Sequence, residues 1–70
     1  MNGKFRAYLM RDGDHKHFAD AHIEAPNREQ ATSAAIEWAS RELATGVTAP
    51  TSLFMEIGDK TWLVERWSDV

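Results

Sequence analysis

Two short stretches decide the fold: residues 18–25, FADAHIEA, and residues 4–10, KFRAYLM. In the first, apolar residues at odd positions alternate with polar residues at even positions: Ala19, Ala21, Ile23 and Ala25 against Asp20, His22 and Glu24. In the second, Phe5, Ala7 and Leu9 alternate with Lys4, Arg6, Tyr8 and Met10. Alternation with a period of two is typical of antiparallel strands that bury one face, so both stretches are predicted to be strands.

The link between these strands carries a hairpin signal, Asp12-Gly13. A two-residue turn there would pair Ala7 with Phe18 and bring Asp20 onto the face of Phe5. The hydrophobic alternation instead requires the odd-numbered residues of both strands to share one face. Because a slip of one residue moves every side chain to the other face, we expect a longer loop or a bulge in this hairpin.

A helix is predicted to follow, starting at Asn27 and running to about Thr45. Asn27 suits the N-cap, and Gln30 stands three residues later, at the capping-box position. Gly46 is placed to end the helix. At about 100° per residue, one stripe is predicted to face the sheet, composed of Thr32, Ile36, Ala39, Ser40, Leu43 and Val47.

Two further strands complete the chain, residues 52–58 (SLFMEIG) and 61–67 (TWLVERW), joined by a tight turn around Gly58. A two-residue turn would place Trp62 and Val64 on the face of Leu53; a three-residue loop would place Leu63 there instead. The predicted fold class is therefore α+β. A single ββαββ domain spans residues 1–70, with a four-stranded antiparallel sheet and one helix on one face. This topology resembles that of small HicB-like antitoxin domains. The resemblance is one of topology and does not extend to motif residues.

Composition narrows the functional classes. The 70 residues carry a net charge of −3 and no cysteine, which excludes disulfides and thiolate metal sites. Lysines and arginines are scattered rather than grouped into a basic patch, which argues against non-specific nucleic-acid binding. Neither a signal-peptide pattern nor an apolar run long enough to span a bilayer is present, so we expect a cytoplasmic protein without membrane association.

Little in the sequence points to catalysis or to a cofactor. No serine or threonine stands in a recognised nucleophile motif, and each glycine stands alone rather than in a phosphate-binding loop. We therefore expect a protein that is not an enzyme and has no cofactor. His15 and His17 in the first hairpin loop are weak candidates for metal ligands, because imidazole binds zinc, nickel and copper. A solvated hairpin loop rich in turn-forming residues is the favoured interpretation, because the candidate ligands lie on a loop and no second cluster faces them.

The sheet face away from the helix is unusually apolar for a surface with no covering layer. It is predicted to carry Tyr8, Met10, Phe18 and Phe54 among Arg6, Asp20, His22, Glu24 and Glu56, with Leu63 and Trp67 joining them if Trp62 and Val64 point inward. Exposed patches of this kind usually mark partner surfaces. Trp38 lies almost opposite the predicted helix stripe. It is either a second docking residue or, if the stripe is rotated, a residue that packs at the sheet edge.

The leading hypothesis is a non-catalytic protein-binding module that forms a homodimer or acts as an inhibitor-like or antitoxin-like accessory protein. The predicted interface residues are Tyr8, Phe18, Phe54, Trp67, Trp38, Arg6 and Glu24. A second hypothesis is single-stranded nucleic-acid binding, in which the aromatic residues of the sheet stack on bases. A third is a metal-responsive or small-ligand module built on His15 and His17.

Overall fold

The structure, a computed structural model, describes residues 2–44 and 50–68. The elements are β1 (Gly3–Arg11), β2 (Ala19–Ala25), α1 (Arg28–Glu42), β3 (Thr51–Ile57) and β4 (Lys60–Trp67). The four strands form one antiparallel sheet in the order β2-β1-β3-β4. The predicted α+β class and ββαββ order are confirmed.

The first hairpin has the register that the hydrophobic alternation predicts. Phe5 pairs with Ile23, Ala7 with Ala21, and Leu9 with Ala19. A loop joins the two strands, and its last residue, Phe18, donates its backbone N–H to the Leu9 carbonyl at 3.0 Å. The predicted longer loop is confirmed, because burial of the alanine face outweighs the local preference for a two-residue turn.

The second hairpin has a two-residue turn. Ile57 pairs with Lys60 across Gly58, whose φ of 60° belongs to the left-handed region that glycine adopts readily. This turn brings Trp62 opposite Met55, on the helix side of the sheet, as predicted for a turn of this length.

A register shift in β4 corrects one prediction. Phe54 pairs with Leu63, but the preceding residue, Leu53, pairs with Glu65, so one extra residue is accommodated in β4. Such a bulge inverts the facing of every residue beyond it. Trp67 therefore lies opposite Thr51 and packs against the core rather than on the open sheet face.

Helix α1 begins as predicted, with the Asn27 side chain accepting a hydrogen bond from the Gln30 N–H at 2.8 Å. Its sheet-facing stripe is rotated from the prediction: Ala39 is buried as predicted, and Ile36 and Leu43 pack beside it, but the other buried helix residues are Ala31 and Ala35. Methyl side chains let the helix approach the sheet closely, so the small residues, not the bulky ones, occupy the contact line. Gly46 and Val47, predicted as the helix stop and as part of the stripe, lie outside the described residues.

The core lies between this alanine stripe and one face of the sheet. Leu9, Leu53 and Met55 are its largest fully buried apolar residues, and Phe5 is nearly buried beside them. At one side, the Arg28 guanidinium lies 4.1 Å from the Trp62 ring centroid and links the start of α1 to β4. Within residues 2–44 and 50–68, the structure contains no helix with the length and apolar character to cross a membrane.

Candidate functional site

The second face of the sheet, here called the open face, has no covering layer among the described residues. Strand pairing arranges its side chains in rows across the sheet, because residues on opposite strands that are paired point to the same side. One row contains His22, Arg6, Glu56 and Thr61. The adjacent row contains Asp20, Tyr8, Phe54 and Leu63.

Arg6 is the polar centre of the open face. Its Nε lies 3.4 Å from Asp20 Oδ2, and its Nη1 lies 3.8 Å from Glu56 Oε1. Its Nη2 lies 3.2 Å from His17 Nε2. A guanidinium only donates hydrogen bonds, so in this contact Arg6 is the donor and His17 Nε2 the acceptor. One side chain of β1 thereby contacts β2, β3 and the first hairpin loop.

An apolar stripe crosses the sheet beside Arg6. Tyr8 and Phe54 stack with ring centroids 5.5 Å apart and an interplanar angle of 21°. Leu63 is the next residue along this row and is 54% exposed. Leu63 is half-exposed and lies next to the stacked aromatic pair. The apolar patch therefore continues to the edge strand.

The first hairpin loop folds back over one end of the open face. The His17 ring lies 5.5 Å from the Tyr8 ring in a tilted arrangement. Phe18 is 39% exposed, and the Arg11 guanidinium lies 4.2 Å from its ring centroid. The loop is also connected to β4, since the side chains of Asp12 and Arg66 form an ion pair.

The predicted interface residues separate into three groups. Arg6, Tyr8 and Phe54 are neighbours at the centre of the open face, and Glu24 lies on the same face of edge strand β2, paired with Lys4. Phe18 lies at the end of the loop. The third group does not belong to the open face: Trp67 and Trp38 both pack against the core.

The position of Trp38 follows from the rotation of the helix. With Ala31, Ala35 and Ala39 facing the sheet, Trp38 is adjacent to the buried stripe and is half-buried rather than outermost. Trp38 therefore packs against the core, as expected for a rotated stripe, and does not point outward from the helix.

The histidine loop gathers no metal-ligand set. Among residues 2–44 and 50–68, no group of three or more histidine, aspartate and glutamate side chains comes together to hold a metal ion. His17 turns toward Arg6 and Tyr8, while His15 is exposed.

The open face is balanced in charge. Three cations, Lys4, Arg6 and Arg66, share it with three carboxylates, Asp20, Glu24 and Glu56, by strand register. The single-stranded nucleic-acid hypothesis requires a basic surface along which phosphates can run, and the contacts of Arg6 with two carboxylates do not favour it.

Two features of the site escape prediction from the sequence. His17 lies in an irregular loop, where no periodicity indicates which way a side chain turns. The contact of Glu56 with Arg6 depends on the pairing of β3 with β1. This pairing joins distant parts of the sequence, and the local alternation of apolar and polar residues does not specify it. The position of Leu63 on the open face can be predicted from the sequence, since a two-residue turn in the second hairpin directs Trp62 inward and Leu63 outward.

A scan against models of known protein families and searches of curated proteins and of solved structures found no significant match for this chain.

Proposed function

We propose that this protein is a non-catalytic protein-binding module that associates with a second copy of itself through the open face. The observation that supports this most is Leu63, 54% exposed at the end of the Tyr8–Phe54 stack on an uncovered sheet face. Burial of this row against another apolar surface would remove water from a leucine and two aromatic rings at once. Mixed aromatic, methionine and arginine composition is also typical of interface cores.

The size of the face sets the expected affinity. Four strands spaced about 4.8 Å apart and about seven residues long project roughly 450 Å², or about 900 Å² for two copies. A stable protein–protein interface buries about 1,200–2,000 Å², and about 1,000 Å² is a working minimum. Projection underestimates the corrugated accessible surface, so the face reaches this minimum but little more. We therefore expect a reversible dimer with a dissociation constant in the micromolar range or weaker.

The charge balance of the face favours a second copy as the occupant. A strongly charged partner surface would leave three cations or three carboxylates unmatched, whereas an equally balanced surface matches the whole set. Arg6 and Glu56, only 3.8 Å apart at the centre, present opposite charges that can be paired reciprocally in a symmetric dimer.

The experiment compares two lysine substitutions on opposite sides of the molecule. Leu63→Lys places a charge in the open face, while Ala34→Lys places the same charge at an exposed position of α1. Both sites are solvent-exposed, so both variants should retain wild-type far-ultraviolet circular dichroism. Light scattering after gel filtration, at concentrations where the wild type is dimeric, should give a monomer for Leu63→Lys and a dimer for Ala34→Lys.

Phe54→Lys is a second variant of the open face and should also be monomeric. Folded variants at Leu63 and Phe54 that dimerise like the wild type would overturn the proposed interface. A wild type that stays monomeric at near-millimolar concentration would overturn self-association. An inhibitor-like or antitoxin-like role with a different partner would then be the next hypothesis to test.

A further inference from the structure

We infer that the two copies pack face to face about a two-fold axis parallel to the strands and midway between β1 and β3, so that Arg6 of each copy faces Glu56 of the other. This inference rests on the proposed self-association and specifies its geometry. It begins from the sheet order, in which β1 and β3 are the two central strands and β2 and β4 are the edges.

A two-fold axis in this position exchanges the strands in a definite way. It places β1 over β3 of the other copy and β2 over β4 of the other copy. Each row of paired residues lies over the same row of the other copy, because rotation about this axis does not move a residue along the strand direction. Arg6 and Glu56 belong to one row, and Tyr8 and Phe54 to the next. Each Arg6 therefore meets a Glu56, and each Tyr8 meets a Phe54, twice in the dimer, while at the edges Asp20 of one copy lies over Leu63 of the other.

The distance between packed sheets allows these side chains to contact each other. Packed sheets lie about 10 Å apart, so long side chains from the two faces meet midway. Aligned sheets are rotated by about 30° relative to each other, which shifts partners least near the centre of the interface. The Arg6–Glu56 and Tyr8–Phe54 pairs lie midway along the two central strands, where the alignment is closest.

The other in-plane axis, perpendicular to the strands, is disfavoured by the charges. It lays each strand over its own copy, so β3 meets β3. Depending on where the axis crosses the sheet, Glu56 then faces Glu56, Phe54 or Ser52 of the other copy. Glu56 stands on a central strand, where association removes most of its hydration, and none of these partners offers it an opposite charge. Asp20 stands on an edge strand, where its carboxylate stays in contact with water.

The edge strands provide positions that distinguish the two axes. His22 on β2 and Thr61 on β4 are exposed, belong to the same row and lie outside the apolar stripe. The sequence contains no cysteine, so a single introduced cysteine is the only thiol in the chain.

The inferred axis predicts which cysteine pairs come close. His22→Cys of one copy lies over Thr61→Cys of the other, with Cα atoms roughly 10 Å apart. Two copies of the same variant keep their cysteines on opposite sides of the dimer. Three strand spacings of about 4.8 Å across and about 10 Å between sheets give a separation of roughly 17 Å.

The test is cross-linking with a short bismaleimide whose reach is about the ~10 Å sheet spacing. His22→Cys and Thr61→Cys are treated separately and as an equimolar mixture, at concentrations where sedimentation shows the wild type to be dimeric. We expect covalent dimers in the mixture and at least tenfold fewer in each variant alone.

Three results would count against the inference, and each has a separate meaning. Efficient cross-linking of either variant with itself would indicate the perpendicular axis. No cross-linking of a protein that sediments as a dimer would overturn the inferred axis. A protein that sediments as a monomer would overturn the proposed function together with its geometry.

Discussion

Two leucines on neighbouring strands allow the two sheet faces to be compared by one substitution. Leu53 on β3 is fully buried at 0% exposure beneath the helix, whereas Leu63 on β4 is 54% exposed on the open face. Replacement by alanine removes the same atoms at both positions. Any difference in the free energy of unfolding therefore reports the difference in burial.

The expected magnitudes differ by a factor of about three or more. Leu→Ala at a fully buried site costs about 2.7–5 kcal/mol, because a cavity remains where the side chain was. Full burial of a leucine contributes about 1.5–3 kcal/mol, so a half-exposed leucine loses about 1 kcal/mol or less. At about 0.05–0.15 kcal/mol per residue, a 70-residue chain is stable by roughly 3.5–10 kcal/mol. Leu53→Ala should therefore remove a large part of the total stability.

Urea unfolding followed by circular dichroism measures both losses. The protein concentration is kept well below the measured dissociation constant of the dimer, so that association does not add to the measured stability. The urea concentrations at the unfolding midpoints are compared with one common slope for the dependence of the unfolding free energy on urea concentration. A variant with a different slope would indicate a changed denatured state. Equal losses for Leu53→Ala and Leu63→Ala, or a larger loss for Leu63→Ala, would refute the assignment of the two faces.

Three further substitutions test how the local structure is held. Asn27→Ala removes the acceptor of the Gln30 N–H and should cost about 0.5–2 kcal/mol in urea unfolding; no loss would contradict the cap. Ala35→Leu forces bulk between the helix and the sheet and should cost about 1–3 kcal/mol by the same assay, whereas a stabilised variant would show that the helix stands further off. Gly58→Ala meets no neighbouring atom within 4 Å but requires a left-handed backbone, so its thermal unfolding should reveal a loss of about 1–2 kcal/mol, and a neutral result would argue against this turn.

Much of the fold could be predicted because strand facing has a period of two. The alternation of alanines with charged residues in β2 fixes the first hairpin register even against the Asp12-Gly13 turn signal. The same alternation brings Arg6, Tyr8 and Phe54 onto one face. Local periodicity and burial point to the same answer in these segments.

The failures have identifiable physical causes. Trp67 was predicted on the open face because alternation continues through β4 in the sequence, whereas the extra residue in β4 inverts its facing. For Trp38 the sequence leaves two interpretations open, because a helical wheel oriented by large apolar side chains puts it almost opposite the predicted stripe. In the structure the contact line is formed by alanines such as Ala35, whose small size is what close packing requires. The placement of His17 over Tyr8 depends on loop conformation and has no signature in the sequence.

Self-association through the open face underlies both proposals, and sedimentation equilibrium of the wild-type chain measures it without any substitution. The measurement runs from low micromolar to near-millimolar concentration at two salt concentrations. We expect the mass to rise from one chain to two with a midpoint in the micromolar range or above. We also expect a modest shift of this midpoint with salt, because the apolar stripe contributes more than the exposed ion pairs. A mass of one chain at every concentration, or assembly beyond two chains, would contradict the account.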